Sequence, residues 1–213
     1  MASSLAVAPG RRQLQKLDRE RRILAAARRL FDRKGYAKTS MEDVAARAGL
    51  AVGTLYNYFR SKDDLLLAIM RREADRLVRI AEGIVADPPD DPVIAIAAMA
   101  DLFVESLRAD ERTLWRELFA AAISSPHDLG ARLLELDNQL VVQLSALLAK
   151  LKERGLLADD VDSAQAATTM YGVCISWELA FLMNEQLSVD AMRDGIAGAI
   201  RMTVRGLLPR IEA

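Results

Sequence analysis

Thr39, Ser40, Val52, Gly53, Thr54, Tyr56, Asn57, Tyr58 and Lys62 gather hydroxyl, amide, phenol and ammonium groups into one short stretch of the chain. Stepping about 100° per residue along a helix from Leu55, taken as the inward reference, Gly53, Thr54 and Asn57 fall outward, with Tyr56 and Tyr58 on the flanks. Val52 opens the same helix, and Gly53 keeps its leading end slim enough for close approach to another surface. A threonine hydroxyl donates to a phosphate or its methyl meets a thymine methyl, and an asparagine amide reaches a base edge. The tyrosine hydroxyls suit phosphates on either wall of a groove, and equally suit packing within a small domain. Lys62 sets an ammonium at a helix N-terminus, where backbone N–H groups already favour anions. Thr39 and Ser40 stand at another such terminus, as helix caps first and phosphate donors second. The chemistry is that of a helix laid in the major groove of double-stranded DNA.

The elements that must position these groups are helices. From Lys16 to Lys34, Ile23, Ala27, Leu30 and Phe31 form one apolar stripe, and Gly35 stops the run. Ser40 with Asp43, and Thr39 with Glu42, both have capping-box spacing for a second helix whose inner face is Met41, Val44, Ala45 and Ala48. Gly49 ends that helix in a conformation a Cβ resists. A third helix is expected over Val52–Phe59, with Leu55 and Phe59 inward, and a fourth over Lys62–Ala86, capped by Ser61. Asp87-Pro-Pro-Asp-Asp-Pro92 breaks the chain, because paired prolines cannot continue a helix. Further helices are expected at about 92–109, 111–124, 126–154, 162–184 and 188–208, with Ser125-Pro126 as cap and first residue of one of them. No stretch has strand alternation, so the fold class is all-α. The division expected is an N-terminal arm over 1–15, a helix-turn-helix domain over 16–66, and a helical domain over 67–213.

Charge supports this division. Residues 1–62 hold 14 of the 29 Lys/Arg but only 5 of the 30 Asp/Glu, so a near-neutral chain conceals a basic N-terminal third and an acidic remainder. A basic segment that coincides with the helical unit is the electrostatic footprint of nucleic-acid binding. No long uninterrupted apolar run suggests a membrane span, and nothing at the start has the form of a signal peptide. The single cysteine, Cys174, excludes an internal disulfide and fits a reducing, cytoplasmic setting. The single histidine, His127, has no Cys or His neighbour, so no metal site, cofactor site or enzymatic nucleophile–base pair is expected. Arg11, Arg12 and Lys16 are basic enough for an arm that follows a minor groove.

Downstream, Phe103, Leu114, Trp115, Leu118 and Phe119 cluster on neighbouring helices, and Met170, Cys174, Trp177 and Phe181 share one stripe. Such stripes usually build a core. Glu178 interrupts the second stripe, and Asn138, Gln139 and Gln143 lie close by in sequence terms on the preceding helix.

The run from Ile23 to about Ile69 resembles the DNA-binding domain of the TetR family of bacterial regulators. The resemblance rests on Leu30-Phe31 with Gly35-Tyr36, Thr39 to Ala45, Ala48-Gly49-Leu50, Gly53-Thr54-Leu55-Tyr56, Tyr58-Phe59, and Ser61-Lys62 before Leu65-Leu66. Ala51 departs from the pattern, because many members carry a capping serine there. The resemblance implies a repressor that dimerises through its last two helices and leaves its operator when a small effector binds in the C-terminal domain. It implies that an apolar or aromatic effector would lie among Phe103, Trp115, Phe119, Met170, Cys174, Trp177 and Phe181, with Asn138 and Glu178 as polar contacts. A C-terminal domain serving a protein partner, and local activation in place of repression, are the alternatives the resemblance leaves open. Small residues Gly172, Ala180, Gly195, Gly198 and Ala199 suit close helix approach at a dimer interface or within one subunit, and Val173, Ile196, Ile200, Val204 and Leu207 supply apolar area.

Overall fold

The structure is a computed structural model that describes residues 10–107, 112–124 and 129–208. These residues form nine helices and no strand: α1 Arg11–Lys34, α2 Met41–Ala48, α3 Val52–Tyr56, α4 Lys62–Ala86, α5 Pro92–Ser106, α6 Arg112–Ser124, α7 Ala131–Glu153, α8 Ser163–Met183 and α9 Val189–Leu207. The chain divides into two compact units, Met1–Ile69 and Met70–Ala213, so the division falls inside α4 rather than after Leu66.

In the first unit, α1 begins at Arg11, so Arg11–Gln15 are helical and not part of an arm. The Gly10 carbonyl starts the helix by accepting from the backbone N–H groups of Gln13 and Leu14. Residues 11–19 are exposed, so good helix formers suffice there without an apolar stripe to betray them. Residues 1–9 of the expected arm lie outside the described residues. Ile23, Ala27 and Phe31 of α1 pack with Met41, Val44 and Ala45 of α2 in the buried core.

The second unit holds α5 to α9 and the remainder of α4. Asp91 caps α5, its carboxylate accepting from Val93 and Ile94 N–H, with Pro92 at the first helical position. Asp162 caps α8 in the same way through Ala164 and Gln165. Ser125, Pro126 and His127 lie outside the described residues, and α7 proper begins at Ala131. Ile196, Ile200 and Val204 are buried within the subunit's own core. The area expected of them at a partner interface is therefore spent inside. Gly195 likewise serves this subunit, since the Trp177 ring lies directly over it. α8 does have the length and hydropathy of a membrane span, contrary to expectation. It carries buried Glu178 and packs against α7 and α9, with 33% of that apolar window buried.

Candidate nucleic-acid interface and interior cavities

The turn between α2 and α3 is built locally. Ser40 Oγ accepts from Asp43 N–H while the Asp43 carboxylate accepts from Ser40 N–H, both at 3.1 Å, so the capping box is complete. A Lys34 bond at 2.8 Å and the Ser40 bond hold the Asp43 carboxyl below its ordinary range. Gly49 adopts φ 68°, ψ 41°, and the Leu50 N–H reaches back to the Ala45 carbonyl at 2.9 Å. That left-handed residue turns the chain into α3. Arg22 of α1 donates to the Ala48 carbonyl at 2.8 Å and fastens the end of α2.

Leu55 (0 % exposed) and Phe59 anchor α3. Val52, Gly53, Tyr56 and Asn57 are exposed, and Thr54 and Tyr58 half-buried, so six of the expected contact residues share a solvent-facing ridge. The helix is shorter than its apolar spacing suggests. It ends at Tyr56, with Asn57 as its C-cap, because Tyr58 N–H bonds the Leu55 carbonyl and tightens the last turn. Ala51 offers no side-chain cap at the other end. Asn57 and Tyr58 thus sit on a turn rather than on the helix.

Two expected contacts are otherwise engaged. Thr39 is 2 % exposed, and its hydroxyl donates to the Gly35 carbonyl at 2.9 Å, so it closes the α1–α2 loop instead of facing outward. Lys62 Nζ donates to the carbonyls of Tyr36 at 2.9 Å and Ala37 at 3.4 Å, and lies 4.6 Å from the centre of the Tyr36 ring. The Tyr36 hydroxyl in turn bonds the Asp63 carboxylate. Tyr36, Lys62 and Asp63 therefore clasp the α1–α2 loop to the start of α4. Sequence reading missed a basic cleft between α1 and α2 lined by Arg22, Arg29 and Arg47. Its signal was present, since Arg22 and Arg29 are seven positions apart on one helix face.

The second unit contains two small, partly open, mainly apolar cavities. One, of about 40 Å³, is lined by Ile96, Met99, Phe103, Leu140, Val141, Leu144, Met170, Tyr171 and Cys174, among others. The other, also of about 40 Å³, is lined by Met70, Glu73, Leu77, Phe103, Trp115, Leu133, Leu136, Asp137 and Leu140, among others. Phe103 and Leu140 line both and form their common wall. Across it the Tyr171 hydroxyl donates to Asp137 at 2.7 Å. Burial pushes the Asp137 carboxyl up against the opposing pull of that bond, and raises the Tyr171 phenol. Glu178, 3 % exposed, is pushed up to about 8 by burial and then by Asp137. Burial likewise lifts the Cys174 thiol to about 12, which leaves it protonated and unreactive.

Of the ligand contacts expected, Phe103, Trp115, Met170 and Cys174 line cavities. Asn138 is exposed on the outer face of α7. Trp177 packs on Gly195. Phe181 is fully buried under the Arg112 guanidinium, 3.7 Å away. Phe119 packs against Trp115, with ring centres 6.3 Å apart. Asp137 and Tyr171 were missed, although Asp137 falls on the stripe of Leu133, Leu140 and Leu144, and so points inward with them. Among the described residues, no three His, Cys, Asp or Glu side chains gather into a possible metal site.

A capped helix, a left-handed glycine turn and a short exposed second helix define a helix-turn-helix protein, here with an all-helical second unit. Residues 23–69 match the family described as bacterial regulatory proteins, tetR family. The transcriptional regulator EthR of Mycolicibacterium smegmatis is 30% identical over 196 residues, spanning 91% of this chain and 84% of that protein. A TetR-family regulator from Mesorhizobium loti superposes with a TM-score of 0.75 at 22% identity, over 91% of this chain and 98% of its own. Thermus thermophilus FadR, a repressor solved in complex with lauroyl-CoA, gives 0.70 at 21% identity, over 91% and 97%. The chain belongs to the TetR family, as a transcriptional regulator with a helix-turn-helix DNA-binding domain.

Proposed function

We propose that the protein is a homodimeric, cytoplasmic repressor that binds operator DNA through α3 and is released by a small, mainly apolar effector held in the second unit. The observation that carries the reading is the joint presence of the exposed ridge Val52–Asn57 and the two cavities around Phe103 and Leu140. Val52, Gly53, Thr54, Tyr56, Asn57 and Tyr58 form the contact set, with Ser40 as a cap beside it; Thr39 and Lys62 leave it. One short helix reads few bases, so a symmetric pair on two half-sites supplies the specificity. The exposed faces of α8 and α9 suit that pairing: Gly172, Ser176, Ala180, Leu179, Met183 and Met202 present small and apolar groups to solvent. Release requires only that the effector bind the DNA-free form more tightly, by a coupling of about 1–3 kcal/mol.

A thermal-shift screen of apolar compounds, followed by operator titration with each hit, tests the reading. Hits that raise the melting temperature and dissociate operator support it. A full library that yields stabilisers, none of which affects DNA binding, overturns effector release.

A further inference from the structure

Among the described residues, no arginine, lysine or histidine lines either cavity. The cavity beside Trp115 nevertheless contains two carboxylates. Glu73 is paired with Arg76, at 2.7 and 3.0 Å. Asp137 has no cationic partner among the described residues and receives only the Tyr171 hydroxyl. Trp115, 8 % exposed, lines the same cavity and leaves its indole N–H without a hydrogen-bond partner. An unpaired buried donor and a half-buried carboxyl without a cationic partner each cost free energy that a bound group of the right kind recovers. An acyl anion fits the described lining poorly, since none of those residues offsets its charge.

We propose that the effector is a lipophilic amine: its ammonium pairs with Asp137, an acceptor oxygen takes the Trp115 indole N–H, and its apolar body extends past Phe103 and Leu140 into the neighbouring cavity. This rests on the effector reading above and names the class of molecule for that site. The aromatic faces of Trp115 and Phe103 add cation–π attraction for the head group. Burial holds the Asp137 carboxyl up in the free protein, and an ammonium reverses that by stabilising the ionised form.

Three dodecanoyl amides that differ only in the head group test it by calorimetry on the full chain: N-(2-aminoethyl)dodecanamide, N-(2-hydroxyethyl)dodecanamide and N-dodecanoylglycine, with lauroyl-CoA as a further anion. The expected order is amine, then alcohol, then the two anions, with the amine ahead of N-dodecanoylglycine by about tenfold or more. Asp137→Asn keeps an acceptor for Tyr171 and is expected to abolish the amine's advantage over the alcohol. Anions binding as tightly as the amine, or an amine preference that survives Asp137→Asn, overturn the proposal. If that variant fails to fold, the ranking on the unaltered chain decides. A neutral or anionic probe that binds and dissociates operator would overturn the amine preference and leave effector release standing. If no probe binds, the amine proposal fails, and effector release is decided by the wider screen.

Discussion

The indole of Trp177 on α8 lies across Gly195 on α9, so close that a Cβ built on the glycine would sit 2.2 Å from Cζ2 of the ring. A real Cβ cannot occupy that position. Gly195→Ala must therefore push the two helices apart or drive Trp177 from its rotamer. The expected cost is about 1–3 kcal/mol, read as a lower denaturation midpoint. An unchanged midpoint would show that the α8–α9 contact yields easily.

The clasp between Lys62 and Tyr36 makes a second prediction. Lys62→Ala removes a charged donor to two carbonyls and is expected to cost about 1–2 kcal/mol of stability. Its effect on DNA should leave the log–log salt slope unchanged. A slope reduced by about 0.9 would return Lys62 to the set of phosphate contacts.

Tyr56 and Leu55 are neighbours with opposite duties. Tyr56 is 46 % exposed and Leu55 fully buried. Tyr56→Ala is expected to weaken operator binding while leaving thermal unfolding within about 0.5 kcal/mol of the parent. Leu55→Ala opens a cavity and is expected to cost about 2–5 kcal/mol, with any DNA defect following from unfolding. Paired melting and anisotropy titrations separate the two. A stability loss in Tyr56→Ala as large as its binding loss would make Tyr56 a packing residue.

Glu178 predicts a pH dependence. Its carboxyl is raised from an ordinary 4.5 to about 8 in the fold, so the native state holds a proton that the unfolded chain has released. Stability present below about pH 4.5 is lost as pH rises toward 8, and then levels off. Asp137, also raised, adds a contribution of the same sign. Glu178→Gln is expected to flatten the decline in melting temperature between pH 5 and 8 (a window set by those values). A slope identical to the parent's would show that Glu178 ionises freely in the fold.

The N-terminal unit was legible because its signals are local. Ser40 with Asp43, Gly49, and the stripe Ile23–Ala27–Phe31 are each decided within a few residues. The lengths of α1 and α3 were not, because exposed Arg11–Gln15 need no apolar period, and the tightened turn after Leu55 leaves none. Thr39 bonds the Gly35 carbonyl and Lys62 the Tyr36 carbonyl, and in sequence a hydroxyl or ammonium engaged in this way looks like one free for a ligand. In the second unit the aromatic stripes located the cavities but not their polar groups. Asp137 went unread because its partner, the Tyr171 hydroxyl, lies 34 positions away on another helix.

Selection of bound duplexes from a random pool by the full chain shows whether α3 reads a DNA sequence. The expected result is an enriched inverted repeat, with half-sites about one helical turn apart, whose preferred bases change in Thr54→Ala and Asn57→Ala and whose recovery falls when an effector is added. Enrichment of no sequence, or of one indifferent to both α3 substitutions, would contradict it.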